Sequence, residues 1–399
     1  MANYKAPEPT YKEWQRVKSI AIRILCPPIL IWDLLKLVVN KLAGVAVGRM
    51  ILPAQRRSNR YDRIIDDKPT NPTHEYHTIV THDGVELDTL EMKHCSKQNN
   101  EPQDQKYIIN FLGNAQAYQQ ILSTMQTDAD TLQSNVIGFN FRGVGRSTGN
   151  ATSTNDLLID GIAQVQRLLD LGVTPQNITL KGYSIGAAVA SLVAHHFHQQ
   201  NQPINVFSDR SFSSLTNVLV GWIRTHSSPQ ETFGMKLLGW LAKPFIKLAL
   251  ILTKWEINAD DAFLAIPEAH REYVLVRSPK NVRTDEVIDD SIITHYASIH
   301  AALKDERQAK KAELDAEIIN NQTDQPHLNN KLTSLTEARA QFKKRKMQNT
   351  APNPDGHEVS MRNLLNSTAE SAQTFFQNFV LNAHQDHAIH ADPIRIMLQ

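Results

Sequence analysis

An α/β fold, with a mostly parallel sheet flanked by helices, is what the chain predicts, and three observations carry the expectation. Short apolar runs alternate with stretches of helical spacing from residue 76 onward, as strands joined by crossover helices do. Some of those runs, such as Tyr107 to Leu112, are apolar almost throughout, which suits strands buried on both faces. One run, starting at Ile178, passes through Gly182-Tyr183-Ser184-Ile185-Gly186 straight into the small residues Ala187 to Ala190. That is a strand, a turn too tight for side chains and a helix start. The 399 residues, 41% hydrophobic and 21% charged, describe an ordinary globular protein of one large domain with insertions, or of two domains.

Charge and cysteine content narrow the class. A net charge of +1 gives no general case for nucleic acid. Two cysteines, Cys26 and Cys95, imply neither a disulfide framework nor a cysteine-rich metal site, and they fit a reducing compartment. The polar start carries Pro7 and Pro9, so no secretory signal peptide is expected. The expected location is cytoplasmic or peripheral to a membrane, with delivery by a signal-independent route left open.

Residues 1–72 read as an N-terminal helical arm and linker, and residues 73–399 as the main domain. Between Ile20 and Leu52 the chain is apolar but broken by Arg23, Asp33, Lys36, Lys41 and Arg49. No charge-free run there reaches the roughly 20 residues of a spanning helix. Ile29 to Val39, with Trp32, reads as an amphipathic helix. It either packs on the core or lies in the plane of a membrane, its basic neighbours on anionic head groups. Arg56 to Pro72 reads as linker.

The core follows in order. Tyr76 to Val80 and Val85 to Met92 predict a hairpin turning at Asp83-Gly84. Tyr107 to Leu112 and Asn135 to Phe141 predict strands, and Asn155 to Leu171 a helix. The elbow strand and helix occupy Ile178 to Phe197, and Ile204 to Phe207 and Tyr273 to Val276 are later strands. Leu215 to Ala259 breaks the alternation and reads as a helical cap. In it, Lys236, Lys243, Lys247 and Lys254 share one narrow stripe at about 100° per residue, and Pro244 predicts a kink. Either the cap turns its apolar face to the core, or it forms a lid over an acyl pocket and touches a bilayer. Ile292 to Leu303 and Met361 to Leu381 predict helices. Lys304 to Met347 reads as a helical hairpin inserted in a surface loop, and Phe342-Lys343-Lys344-Arg345-Lys346 as a solvated helix end or a lipid or localisation patch.

The glycine-flanked serine is the G-x-S-x-G nucleophile elbow, in which a strained strand-to-helix turn lifts the hydroxyl clear of the sheet. Gly182 and Gly186 leave room for neighbouring strand and helix, and free N–H groups behind Ser184 face developing negative charge. Other motifs join it. Phe111-Leu112-Gly113-Asn114-Ala115-Gln116 is similar to the oxyanion-hole loop of α/β-hydrolases, with Leu112 where that family has histidine. Arg142-Gly143-Val144-Gly145-Arg146-Ser147 resembles that family's tight structural turn; a phosphate-binding reading lacks the P-loop lysine. Asp285-Glu286-Val287-Ile288 resembles its acid loop, and His357 follows Gly356 in a loop before the last helix.

The chain thus resembles the α/β-hydrolase family over about residues 75–381. The resemblance implies an enzyme, a serine esterase or lipase with catalytic Ser184, Asp285 and His357 in the order Ser, Asp, His. Asp289 and Asp290 are the alternative acids. His295 and His300 fall in an expected helix, His327 in the insertion, and His384, His387 and His390 past the last helix. The backbone N–H groups of Asn114 and Ile185 would bind the oxyanion. The chemistry needs no metal and no organic cofactor. The implied substrate is an acyl or lipid ester, with peripheral membrane contact through the arm or the cap. A thioesterase or peptidase on the same triad, and a silent hydrolase-like binding module at a membrane or host protein, are the alternatives. Lys181-Gly182-Tyr183-Ser184, Ser208-Asp209-Arg210-Ser211-Phe212-Ser213-Ser214 and Trp255-Glu256-Ile257-Asn258 together resemble a subgroup of hydrolase-like effectors secreted by intracellular bacteria.

Overall fold

The structure is a computed structural model that describes residues 3–5, 44–52, 73–94, 101–225, 232–277, 290–304, 306, 308, 309, 312, 344–350 and 356–390. It falls into two compact units, one of Met1–Thr174 with Lys247–Glu256 and one of Pro175–Ile246 with Ile257–Gln399.

In the first unit the strands are β1 (Asn3–Lys5), β2 (His74–Val80), β3 (Glu86–Met92), β4 (Tyr107–Phe111) and β5 (Asn135–Phe139), ordered β1-β2-β3-β5-β4. The expected hairpin is present: β2 and β3 pair antiparallel with Val80 opposite Glu86, and Gly84 turns at φ +86°, where glycine bears no Cβ penalty. β4 pairs parallel to β5. Every residue of β4 and β5 is buried, and Phe111, Phe139 and Phe141 stack edge to face beneath them. The loop at residues 142–149 is the structural turn expected. Its N–H groups are used internally, Gly143 donating to Thr148 O and Ser147 to Val144 O. The buried Arg142 side chain holds Asp160 and Asp83.

The amphipathic stretch Ile29 to Val39 lies outside the described residues, but the end of the arm does not. Residues 44–51 form a helix whose Gly44 and Gly48 lie so close to the chain at 151–152 that a Cβ on either would come within 2.5 Å of a carbonyl oxygen. Gly44 O also accepts the indole N–H of buried Trp255 at 2.9 Å. This end of the arm is packed on its unit.

The second unit carries β6 (Ile178–Tyr183), β7 (Asn205–Asp209), β8 (Arg271–Val276), β9 (Lys346–Asn349) and β10 (Leu364–Leu365) in that order. The first four run parallel and β10 pairs antiparallel to β9. The helix Ile185–His198 follows β6 and is buried along most of its length. The last helix, Ala372–His390, brings Phe375 and Phe376 against Phe207 of β7. Parallel strands with crossover helices, an antiparallel hairpin at the start and a strand-elbow-helix at β6 make this an α/β-hydrolase fold.

Four local expectations are corrected. The hairpin expected at 304–347 lies almost wholly outside the described residues, but Lys346 and Met347 are sheet, paired with Leu275 and Val276. Arg345, read as part of a solvated patch, is buried and bound to Glu272 at 2.5 Å. The helix expected from Ile292 is four residues, Ile299–Ala302, because the segment before it is tied into turns and a bridge to Phe212. The last helix starts at Ala372 rather than Met361. The Asn366 side-chain Oδ1 accepts the N–H groups of Thr368 and Glu370, and Ala369 turns at φ +59°, which stops helical propagation.

Candidate active site

Ser184 sits between β6 and its helix with φ 55° and ψ −122°. A non-glycine residue there costs about 1–3 kcal/mol, and such strain persists only where the surroundings impose it. The surroundings here are specific. Ser184 N–H donates to Asp209 O at 3.0 Å, and Ser211 Oγ donates to Ser184 O at 3.2 Å. A Cβ on Gly182 would sit 2.2 Å from Ala187 Cα, so glycine is obligatory. Gly186 is the buried second residue of the helix. Ile185 is the first, and the first N–H groups of a helix have no acceptor within it. They face the serine with the positive end of the helix dipole.

His357 closes on this serine from far along the chain. Its Nε2 lies 3.1 Å from Ser184 Oγ, and its Nδ1 lies 2.9 Å from Asp290 Oδ2. The carboxylate selects the tautomer with the proton on Nδ1, leaving Nε2 to accept from the serine hydroxyl. All three side chains are buried. The acid first expected, Asp285, lies outside the described residues, as does Asp289; the carboxylate that meets His357 is Asp290. Its other oxygen accepts the N–H groups of Ile292 at 3.0 Å and Ile293 at 2.6 Å. The carboxylate thus turns its own loop and leaves one oxygen for the imidazole. An Asp followed by Ser291 and two isoleucines is the signal for such a turn.

Arg210 is the residue that the sequence offered only as part of a resemblance. It is buried, adopts φ +50° and pairs both its edges. Nε and Nη2 donate to Asp209 at 2.8 and 2.7 Å. Nη1 donates to the carbonyls of His357 at 2.8 Å, Val359 at 2.6 Å and Gly356 at 3.3 Å. Tyr183 Oη also donates to His357 O, and its ring lies under the Arg210 guanidinium. Burial pushes the Tyr183 hydroxyl well above its ordinary pKa, which keeps it a donor. Ser213 N–H and Oγ bind Ala297 O, tying the segment after Asp290 to the same strand end. One stretch, 209–213, therefore holds the serine, the histidine loop and the acid segment.

Asn114 belongs to the first unit, exposed on the turn after β4. Buried Leu112 leaves no histidine to brace that turn; instead Gly113 N–H donates to Gln116 Oε1 at 3.1 Å. Of the histidines set aside, His300 is buried with Nδ1 2.8 Å from Tyr273 Oη.

The family whose model matches this chain is described as Chlamydia CHLPS protein (DUF818), and it matches residues 14–340. The chain belongs to this family. Among solved structures, this DUF818 chain is similar to an esterase from Pyrococcus furiosus, at 19% identity over 53% of this chain and 73% of that one, TM-score 0.36. It is similar to an alpha-beta hydrolase from Vibrio vulnificus at 15% identity, covering 68% and 82%, TM-score 0.43. It is similar to an esterase from Pyrobaculum calidifontis at 13% identity, covering 61% and 79%, TM-score 0.36. No curated protein matches. At such distances the chemistry of the DUF818 chain has to be read from its own residues.

Proposed function

We propose that this DUF818 chain is a serine hydrolase that cleaves a carboxylic ester of an acyl or lipid substrate through an acyl-enzyme. The observation that supports this reading is the unbroken line from Ser184 Oγ through His357 to Asp290, with the serine held at positive φ. His357 Nε2 takes the serine proton as Oγ attacks the carbonyl carbon, then returns it to the departing alcohol. Asp290 orients the ring through Nδ1 and stabilises its cation. The Ile185 N–H supplies one oxyanion donor, a contribution of about 3 kcal/mol; Asn114 is the second donor that the family resemblance implies. Water, activated by the same histidine, then cleaves the acyl-enzyme. The ester preference rests on the apolar cap sequence, and delivery into a host cell on the effector-like motifs alone.

A fluorophosphonate probe tests this directly. Wild type is expected to label, Ser184→Ala and His357→Ala to lose labelling, Asp290→Ala to label far more slowly, and Asp285→Ala to label as wild type. Well-folded wild type that does not react would point to the silent binding module. Loss in Asp285→Ala with Asp290→Ala intact would return the acid to the first expectation.

A further inference from the structure

The helix Phe233–Leu252 runs unbroken through Pro244 and does not turn its apolar face to the core. Its packed stripe is Met235, Gly239, Ala242, Ile246 and Leu250, spaced three or four apart along one side. There Gly239 lies against Arg224 and Val220 of the helix Leu215–Thr225, and Lys243 reaches Tyr296 Oη at 3.2 Å. The opposite arc is apolar and in water: Phe233 is 83% exposed, Trp240 70% and Phe245 75%, with Leu237, Leu241 and Leu248 among them. An exposed apolar patch of this kind marks an interaction surface.

Charge selects the occupant. Lys236 and Lys247 are exposed on one flank of that arc, with Lys254 in line just past the helix end, and no Asp or Glu occurs between Phe233 and Leu252. A second copy would set the same lysine-lined patch against itself across a two-fold axis, opposing like charges. An anionic lipid surface instead accepts the apolar arc between its chains and the lysines at its head groups. None of the described helices is long and apolar enough to cross a membrane, so the helix lies along the surface. We propose that Phe233–Leu252 is an in-plane docking helix for anionic membranes, with Trp240 and Phe245 as its inserted aromatics.

The test is co-sedimentation of the full chain with phosphatidylcholine vesicles, with and without phosphatidylserine. Wild type is expected to favour the anionic vesicles. Trp240→Ser with Phe245→Ser, which alters only exposed side chains, is expected to lower partitioning at least about tenfold while keeping the wild-type melt. Lys236→Gln with Lys247→Gln is expected to cost about fivefold per lysine on anionic vesicles only. Trp240→Phe alone is expected to bind as wild type. Wild type that stays in solution overturns the proposal, and so does an aromatic pair variant that binds unchanged, which would assign binding to another surface such as the arm. A pair variant that instead splits a dimer, seen by sedimentation velocity, makes the face a self-association surface and also overturns it. Binding does not use Ser184, so Ser184→Ala is expected to sediment as wild type whether or not the hydrolase reading holds.

Discussion

Two helices in this chain are both strongly apolar and end in opposite places. Ile185–His198 is buried from Ile185 through Phe197 on all but a few positions. Phe233–Leu252 leaves Phe233, Trp240 and Phe245 mostly in water. The elbow helix has small residues, Ala187, Ala188, Ala190 and Ala194, that let a sheet and neighbouring helices close on every side. The cap helix puts bulk at the matching places and has only one stripe narrow enough to pack. Apolar composition says that a helix must leave water; side-chain size says whether protein can cover it.

Substitutions can break this contrast. The largest stability loss is expected from Phe197→Ala, at 0% exposure, about 4 kcal/mol in denaturant melts. Gly182→Ala should cost about 3 kcal/mol, since the new Cβ meets backbone that cannot yield. If either were neutral, the elbow helix would not be closely packed. Charge shows the same contrast. Glu91 is buried with Arg167 Nη2 at 2.5 Å and His77 Nε2 at 3.3 Å. Burial opposes its ionisation, but His77 and Arg167 outweigh that and hold the carboxyl down to about 2 from an ordinary 4.5. Its folded pKa is depressed, so its stabilisation, about 3 kcal/mol, is present above pH 4.5 and is lost as pH falls toward 2. Glu91→Gln should flatten the melt against pH in that window, whereas Lys247→Gln should leave it unchanged. The smallest effects belong to the cap helix. Phe245→Ala should stay within about 0.5 kcal/mol. Gly234→Ala, with nothing within 4 Å of the new Cβ, should stabilise by about 0.5 kcal/mol. A loss of several kcal/mol from Phe245→Ala would mean that the helix is packed after all.

A kinetic prediction sharpens the account of the site. Arg210→Lys keeps a buried cation but not the three-carbonyl fork. It should lower kcat about a hundredfold with little change in KM as the His357 loop loosens. A kcat near wild type would mean that the three-carbonyl fork does not position His357, and a kcat loss matched by the fraction unfolded in melts would make Arg210 purely structural.

Most strands, the strained turn at Ser184 and the loop position of His357 were legible in the residues, because each has a local cause. Period and apolarity mark β4 and β5, the glycines mark the elbow, and Gly356-His357 before an apolar helix marks the loop that reaches it. The carboxylate that meets His357 was not legible. Asp285, Asp289 and Asp290 share one polar loop, and nothing local says which carboxylate will face an imidazole 67 residues later. β9 was hidden for a related reason: Lys346-Met347-Gln348-Asn349 has no strand alternation and becomes sheet only because β8 offers it an edge.

By itself, then, the sequence determined what short-range sterics and apolar periodicity can determine: the α/β class, the hairpin and the strained serine turn. Tertiary structure decided which aspartate meets His357, that Arg210 grips the histidine loop, and that the cap's apolar face looks outward. Each of those depends on groups distant in the chain arriving within hydrogen-bond or packing distance, and no local pattern carries that distance.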